Sequence, residues 1–256
     1  MPLLPRGIPI LERNLTVQRR SWISLSTGVI EPVLFLLGIG YGLGASVHGL
    51  VGDDASSYAE FVAPALLAVS AMNGAVADGC YGFFVKLHLS GIYRVASFAP
   101  VRPYDIACGE ILSASVRAIA YALPFVVAVA FLAQMSMPRV LLTAVVACFL
   151  GVYFSAISIA IATLIRRRQQ FEFLSLAILP LFLFSGVFVP VSSLPPAISV
   201  LIELTPLYHA ISLVRGTVSA APIMSLVPST AYIVAVTVLA VFVASRRTQK
   251  ILTRSS

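Results

Sequence analysis

Apolar residues recur in this chain in runs of about twenty, each long enough to cross roughly 30 Å of hydrocarbon as a helix. Inside a bilayer every backbone N–H and C=O must find a partner within the protein, which leaves helices or closed barrels as spanning structures. Six such runs are predicted to be helical spans, over residues 25–47, 58–84, 106–133, 140–165, 171–190 and 223–244. With 59% hydrophobic and 11% charged residues, there is too little polar surface to cover a water-soluble globule. The fold class is therefore an all-α membrane protein, one transmembrane domain over residues 1–256. The first run follows basic residues and ends near Gly44-Ala45-Ser46, features shared with a secretory signal, but it is longer than a signal's apolar core and is kept as a span. Residues 1–22 mix Arg6, Arg13, Arg19 and Arg20 with Ile8, Ile10, Leu11, Leu15 and Val17. They are expected to form an amphipathic helix in the membrane interface, with Pro9 tolerated in its first turn; an unstructured basic tail is the other reading.

The formal charge is +7, yet the basic residues punctuate the apolar runs instead of forming one solvated face, which argues against a nucleic-acid partner. They sort by membrane side. With both termini in the cytoplasm, Lys86, Arg94, Arg102, Arg166, Arg167, Arg168 and the terminal arginines and lysine fall inside, leaving Arg139 and Arg215 outside, the asymmetry expected of retained Lys and Arg. The expected location is the cytoplasmic membrane. Cys80, Cys108 and Cys148 lie far apart in separate spans, which suits neither a disulfide framework nor a zinc site. Gly38 with Gly42, and Gly40 with Gly44, have the small-xxx-small spacing that lets helices approach closely.

Asp78, Glu110 and Arg117 are the polar residues deepest in the spans. Counting about 1.5 Å per residue from the cytoplasmic ends, they lie about 9, 6 and 16 Å in. Ionisable groups at such depth pair with one another or mark a pathway, so a structural pair or triad is expected, with a proton or substrate relay as the alternative. Glu31 and Glu172 lie near the boundary. The connection between spans two and three is longer than a hairpin needs and mixes apolar residues with Lys86, His88 and Arg94, as a surface helix would; a passive loop is equally consistent. No G-x-x-x-x-G-K-[ST], H-E-x-x-H or G-x-S-x-G pattern occurs, so neither P-loop nucleotide binding nor these catalytic devices are expected.

Residues 184–216, "FSGVFVPVSSLPPAISVLIELTPLYHAISLVRG", interrupt the apolar pattern with four prolines, Glu203, His209 and Arg215. Irregular backbone at membrane depth survives only where protein or a water cavity covers it, and a re-entrant helical pair between spans five and six, within residues 192–220, is predicted. The stretch resembles the signature of permease subunits of type-2 ABC exporters, carried by Ser185, Gly186, Pro190, Leu194, Pro195, Pro206, Leu207, Arg215 and Gly216. "APVRPYDIACGE" is similar to that family's lead into span three, and "EPVLFLLGIGYGLG" resembles its nodulation-protein J branch, associated with lipo-oligosaccharide export; related drug-export permeases share much of the pattern.

The resemblance implies a permease that binds no cofactor itself and pairs with a second permease copy, identical or not, and with separate ATP-binding subunits that use ATP. It also implies that residues 86–99 form a coupling segment contacting the ATPase, through Lys86, His88, Tyr93 and Arg94, and that the N-terminal helix is the connecting helix. The expected function is export of a hydrophobic, lipid-linked or drug-like substrate. A self-sufficient channel or ion-coupled carrier using Asp78, Glu110 and Arg117 is the alternative, and an intramembrane enzyme built on Glu203, Tyr208 and His209 is a third.

Overall fold

The computed structural model describes residues 8–20, 30, 33–38, 55–90, 92–93 and 103–254, and among these the regular structure is helical throughout. Helix α1 covers Ile8–Arg20, with Pro9 in its first turn. Helix α2, Ala55–Ala75, continues through widened turns at Val76–Gly82 and Val85–Leu89, so that the apolar span runs Tyr58–Leu89. Helix α3 is Pro103–Leu132. A tight reversal, in which Gln134 takes a φ of 44°, leads to α4, Met137–Ala162, started by Pro138. Helix α5 is Gln170–Phe184, α6 Pro196–Glu203, α7 Pro206–Val218 and α8 Ile223–Arg254.

Four of these elements are long and apolar enough to cross a membrane, within α2, α3, α4 and α8; α6 and α7 together count as a fifth only if the bent pair is one span. The expected six are thus met in part. Most of the first run lies outside the described residues, although Val33–Gly38 is helical and Phe35 meets Phe182 of α5 edge to face at 5.5 Å. The fifth run makes a 15-residue helix of about 22 Å, shorter than the expected 171–190. Its stop is chemical: the Ser185 hydroxyl donates back to the Leu181 carbonyl, and Gly186 adopts φ +80°, the left-handed conformation that closes many helices.

The α2, α3 and α4 helices form the packed centre because small residues let their backbones meet. A Cβ on Gly74 would stand 2.8 Å from the Ala118 Cα, and one on Gly151 would stand 2.9 Å from Ile119 Cγ1. Dispersion at such close approach replaces the hydrophobic drive that lipid cannot supply. The core has two parts. One joins α2, α3, α4 and α7 around Leu66, Phe125, Leu150 and Ile211; the other gathers Phe83, Tyr93, Ile106, Ile159, Phe171 and Ala244 at the opposite end.

Candidate functional site

Two carboxylates sit beside the second core. Glu110 on α3 is 1% exposed, and a buried charge at this depth is tolerated only with close partners. It has four. Lys86 Nζ donates to Oε2 at 2.7 Å, Asn14 Nδ2 to Oε1 at 2.7 Å, the Tyr93 hydroxyl also to Oε1, and Arg13 Nη2 stands 3.5 Å away. Burial first, then the Glu110 carboxylate, push the Tyr93 phenol well above its ordinary value, so it stays protonated and donates.

Asp78 lies in the widened turn of α2, where the Phe83 N–H reaches back five residues to the Asp78 carbonyl. Such turns re-aim side chains within a helix. Gln18 Nε2 donates to Asp78 Oδ2 at 2.8 Å and also lies 3.2 Å from the carbonyl and hydroxyl oxygens of Ser113. Ser113 Oγ donates to the same carboxylate oxygen at 3.4 Å, and Arg117 Nε stands 4.0 Å from Oδ1.

Asn14 and Gln18 are four residues apart, hence on one face of α1, and both are buried. That face presents one amide to each carboxylate. The N-terminal helix is therefore fastened to α2 and α3 by polar side chains, a role its amphipathic pattern does not announce. Of the anticipated trio, Asp78 and Arg117 come together, while Glu110 takes partners of its own.

Lys86 and Tyr93 direct their polar ends to Glu110. His88 packs on Phe84 at 4.9 Å and hydrogen-bonds the Ile165 backbone; Arg94 lies outside the described residues.

At the far end of the bundle α6 and α7 meet at 86°. Prolines set this shape. The Pro190 carbonyl accepts the Ser193 N–H at 3.1 Å, and the Pro195 carbonyl opens α6 by accepting the Ile198 N–H at 2.9 Å. Pro206 begins α7, where its missing N–H costs nothing, and its carbonyl accepts from the Tyr153 hydroxyl at 3.1 Å. Thr205 caps α7 by accepting the Tyr208 N–H at 3.3 Å and stands 3.4 Å from Ser185 Oγ.

Arg215 fixes the pair to α2. Its Nη2 donates to the carbonyls of Phe61 at 3.2 Å and Val187 at 3.4 Å, with the guanidinium 3.8 Å from the Phe61 ring centroid. Gly216 follows where any Cβ would stand 2.1 Å from Leu226 Cδ2 of α8. His209 stacks on Tyr232 at 3.8 Å and lies 3.3 Å from the Ser229 hydroxyl, while Glu203 is exposed. Among the described residues no group of His, Cys, Asp and Glu is placed to hold a metal.

A bundle of long apolar helices, a bent proline-started pair at one end and a polar fastening at the other define a multi-pass helical membrane protein. Residues 9–218 match the ABC-2 type transporter family, and the chain belongs to it, as the membrane permease subunit of an ABC transporter. It is 33% identical over 211 residues to nodulation protein J of Azorhizobium caulinodans, covering 82% of each chain. The nodulation protein J of Sinorhizobium fredii is 29% identical over 210 residues, 81% of this chain and 79% of the relative. That of Rhizobium leguminosarum bv. viciae is 27% identical over 226 residues, 86% of both.

Proposed function

We propose that this subunit is the membrane half of an ATP-driven exporter in the cytoplasmic membrane, with both termini inside, moving a hydrophobic, lipid-linked or drug-like substrate outward. The family match over residues 9–218 carries this reading; on it, ATP is bound and hydrolysed by a separate ATP-binding subunit, in keeping with the lack of a P-loop within these 256 residues. A second permease copy completes the route between them.

The polar fastening supports a mechanism. Lys86 ends α2, Tyr93 follows it, and both are joined through Glu110 to α3 and through Asn14 to α1. A push by the ATPase on residues 86–99 is thereby delivered to α1, α2 and α3 together, because displacing any one of them strands a buried carboxylate. The route opens by re-packing whole helices. Arg215 and the prolines keep the bent pair in place as the outer cap during that movement. Asp78, Glu110 and Arg117 act as structural charges in this scheme, since their partners hold them within the helix contacts.

The test is to purify the tagged chain from its own host's membranes. An ATP-hydrolysing subunit should accompany it and be lost when residues 86–99 are replaced by a glycine-serine linker. Retention of the ATPase by the linker variant would place the contact elsewhere, and transport by the chain without any ATPase would overturn the proposal.

A further inference from the structure

Lys86 and His88 share the widened turn Val85–Leu89, closed by the Ser90 N–H on the Val85 carbonyl at 2.9 Å. Two residues apart, they leave the helix on different faces. Lys86 reaches Glu110 of α3 at 2.7 Å. His88 instead bonds the Ile165 backbone, in the turn past the end of α4, where carbonyls have no helical N–H to accept. The His88 Nε2 is buried with no partner among the described residues, so the donor to the Ile165 carbonyl is Nδ1–H. An apolar side chain would fill this place as well. Burying a ring nitrogen costs free energy unless a hydrogen bond offsets it, and the bond to Ile165 is the one His88 makes.

A ladder of rings continues the contact into α5. The His88 ring lies 4.9 Å from that of Phe84, Phe84 meets Phe171 edge to face at 4.9 Å, and Phe171 stacks on Tyr81 at 4.5 Å. The Tyr81 hydroxyl stands 3.1 Å from Ser175 Oγ. Phe171 and Ser175 lie in the first two turns of α5. The turn between α4 and α5 is braced by Gln170, whose side-chain oxygen accepts the backbone N–H groups of Arg166 at 2.6 Å and Arg167 at 3.1 Å. Leu87, Ile165 and Phe171 share one apolar cluster, so the end of α2 and the α4–α5 turn are packed together.

We propose that His88 is a positioning residue for coupling: its Nδ1–H bond to the Ile165 carbonyl and its ring contact with Phe84 carry displacement of residues 86–99 to the α4–α5 turn and to α5. This rests on the exporter reading above and gives the coupling segment two outlets. Glu110 delivers the push to α1 and α3, and His88 delivers it to α4 and α5. A single turn that grips both sides of the bundle keeps them in step.

The complex of the full-length chain with its copurifying ATPase, in lipid nanodiscs, is followed by hydrogen exchange before and after addition of a non-hydrolysable ATP analogue, adenylyl imidodiphosphate. In the wild type, exchange should change both in residues 103–132 and in residues 163–184. His88→Phe keeps a ring against Phe84 and loses the donor. It should still hold the ATPase and show the change in residues 103–132, while the change in residues 163–184 shrinks about fivefold, the scale set by one hydrogen bond. His88→Asn, whose amide N–H falls where Nδ1 stands, should restore it. A residue that only stabilised the fold would alter exchange in both regions before the nucleotide is added. If His88→Phe does not fold, His88→Leu serves in its place. A full response of residues 163–184 in the variant without the donor overturns the proposal, as does a silent His88→Asn or a wild type in which only residues 103–132 respond. Loss of the ATPase from His88→Phe would also overturn it, by making His88 part of the ATPase contact. Absence of any ATPase from the wild-type preparation would sink the exporter reading and this proposal with it.

Discussion

Glu110 is held by groups from α1, from the end of α2 and from the segment that follows it. Its depth marks it as needing a partner, but the sequence offers many cations and the nearest in the same span is Arg117. Its nearest cation is instead Lys86, 24 residues upstream at the end of the preceding span, at 2.7 Å. Lys86→Met should destabilise the chain by about 3 kcal/mol, because removing one member of a buried pair strands the other charge. Adding Glu110→Gln should restore more than half of that loss in thermal unfolding of the purified chain, whereas a double variant no better than the single would mean the two groups do not depend on each other. Depth marked Asp78, Glu110 and Arg117 together as needing partners, but did not single out Asp78 with Arg117, which stand 4.0 Å apart. Asn14 and Gln18 were not marked at all. Two amides four residues apart among arginines look like the polar side of an interfacial helix, and only the fold shows that this side faces protein. The available signal was that uncharged Asn and Gln, not Arg, fall on one face. Asn14→Leu should loosen α1 and increase proteolysis before Trp22 severalfold while the spans remain protected; unchanged cleavage would contradict the fastening.

At the scale of elements, hydropathy located the long helices because lipid imposes length and composition on each of them. It overestimated α5, since apolar residues continue past Phe184 while the backbone is turned aside by Ser185 and Gly186. Prolines announced the bent α6–α7 pair because Pro195 and Pro206 can start helices but cannot sit inside them unpunished. Which glycines mattered was not legible from spacing. A Cβ on Gly38, in the small-residue motif of the first run, would meet no described residue within 4 Å, whereas one on Gly74 would lie against the α3 backbone. Gly74→Val should therefore cost about 3 kcal/mol and sharply reduce the folded yield, and Gly38→Val should stay within about 0.5 kcal/mol of the parent. Equal losses, measured by thermal unfolding, would show that the two helices are not in the contact described.

At the scale of the whole molecule, charge asymmetry along the chain gives the orientation a direct check. A cysteine at Ser193, in the turn before α6, should react with an impermeant maleimide added outside whole cells, and one at Arg167 only after the cytoplasmic face is opened. Substrate and partner are not legible in one chain, because in the proposed assembly the cargo surface and the ATPase contact are completed by other chains. On the proposed function, this chain works only when ATP is spent by a separate subunit. Reconstituted vesicles containing the permease and its copurifying ATPase should export cargo when ATP is present, and lose that transport when either ATP or the ATPase is left out. Equal transport by the permease alone, without nucleotide, would contradict the account.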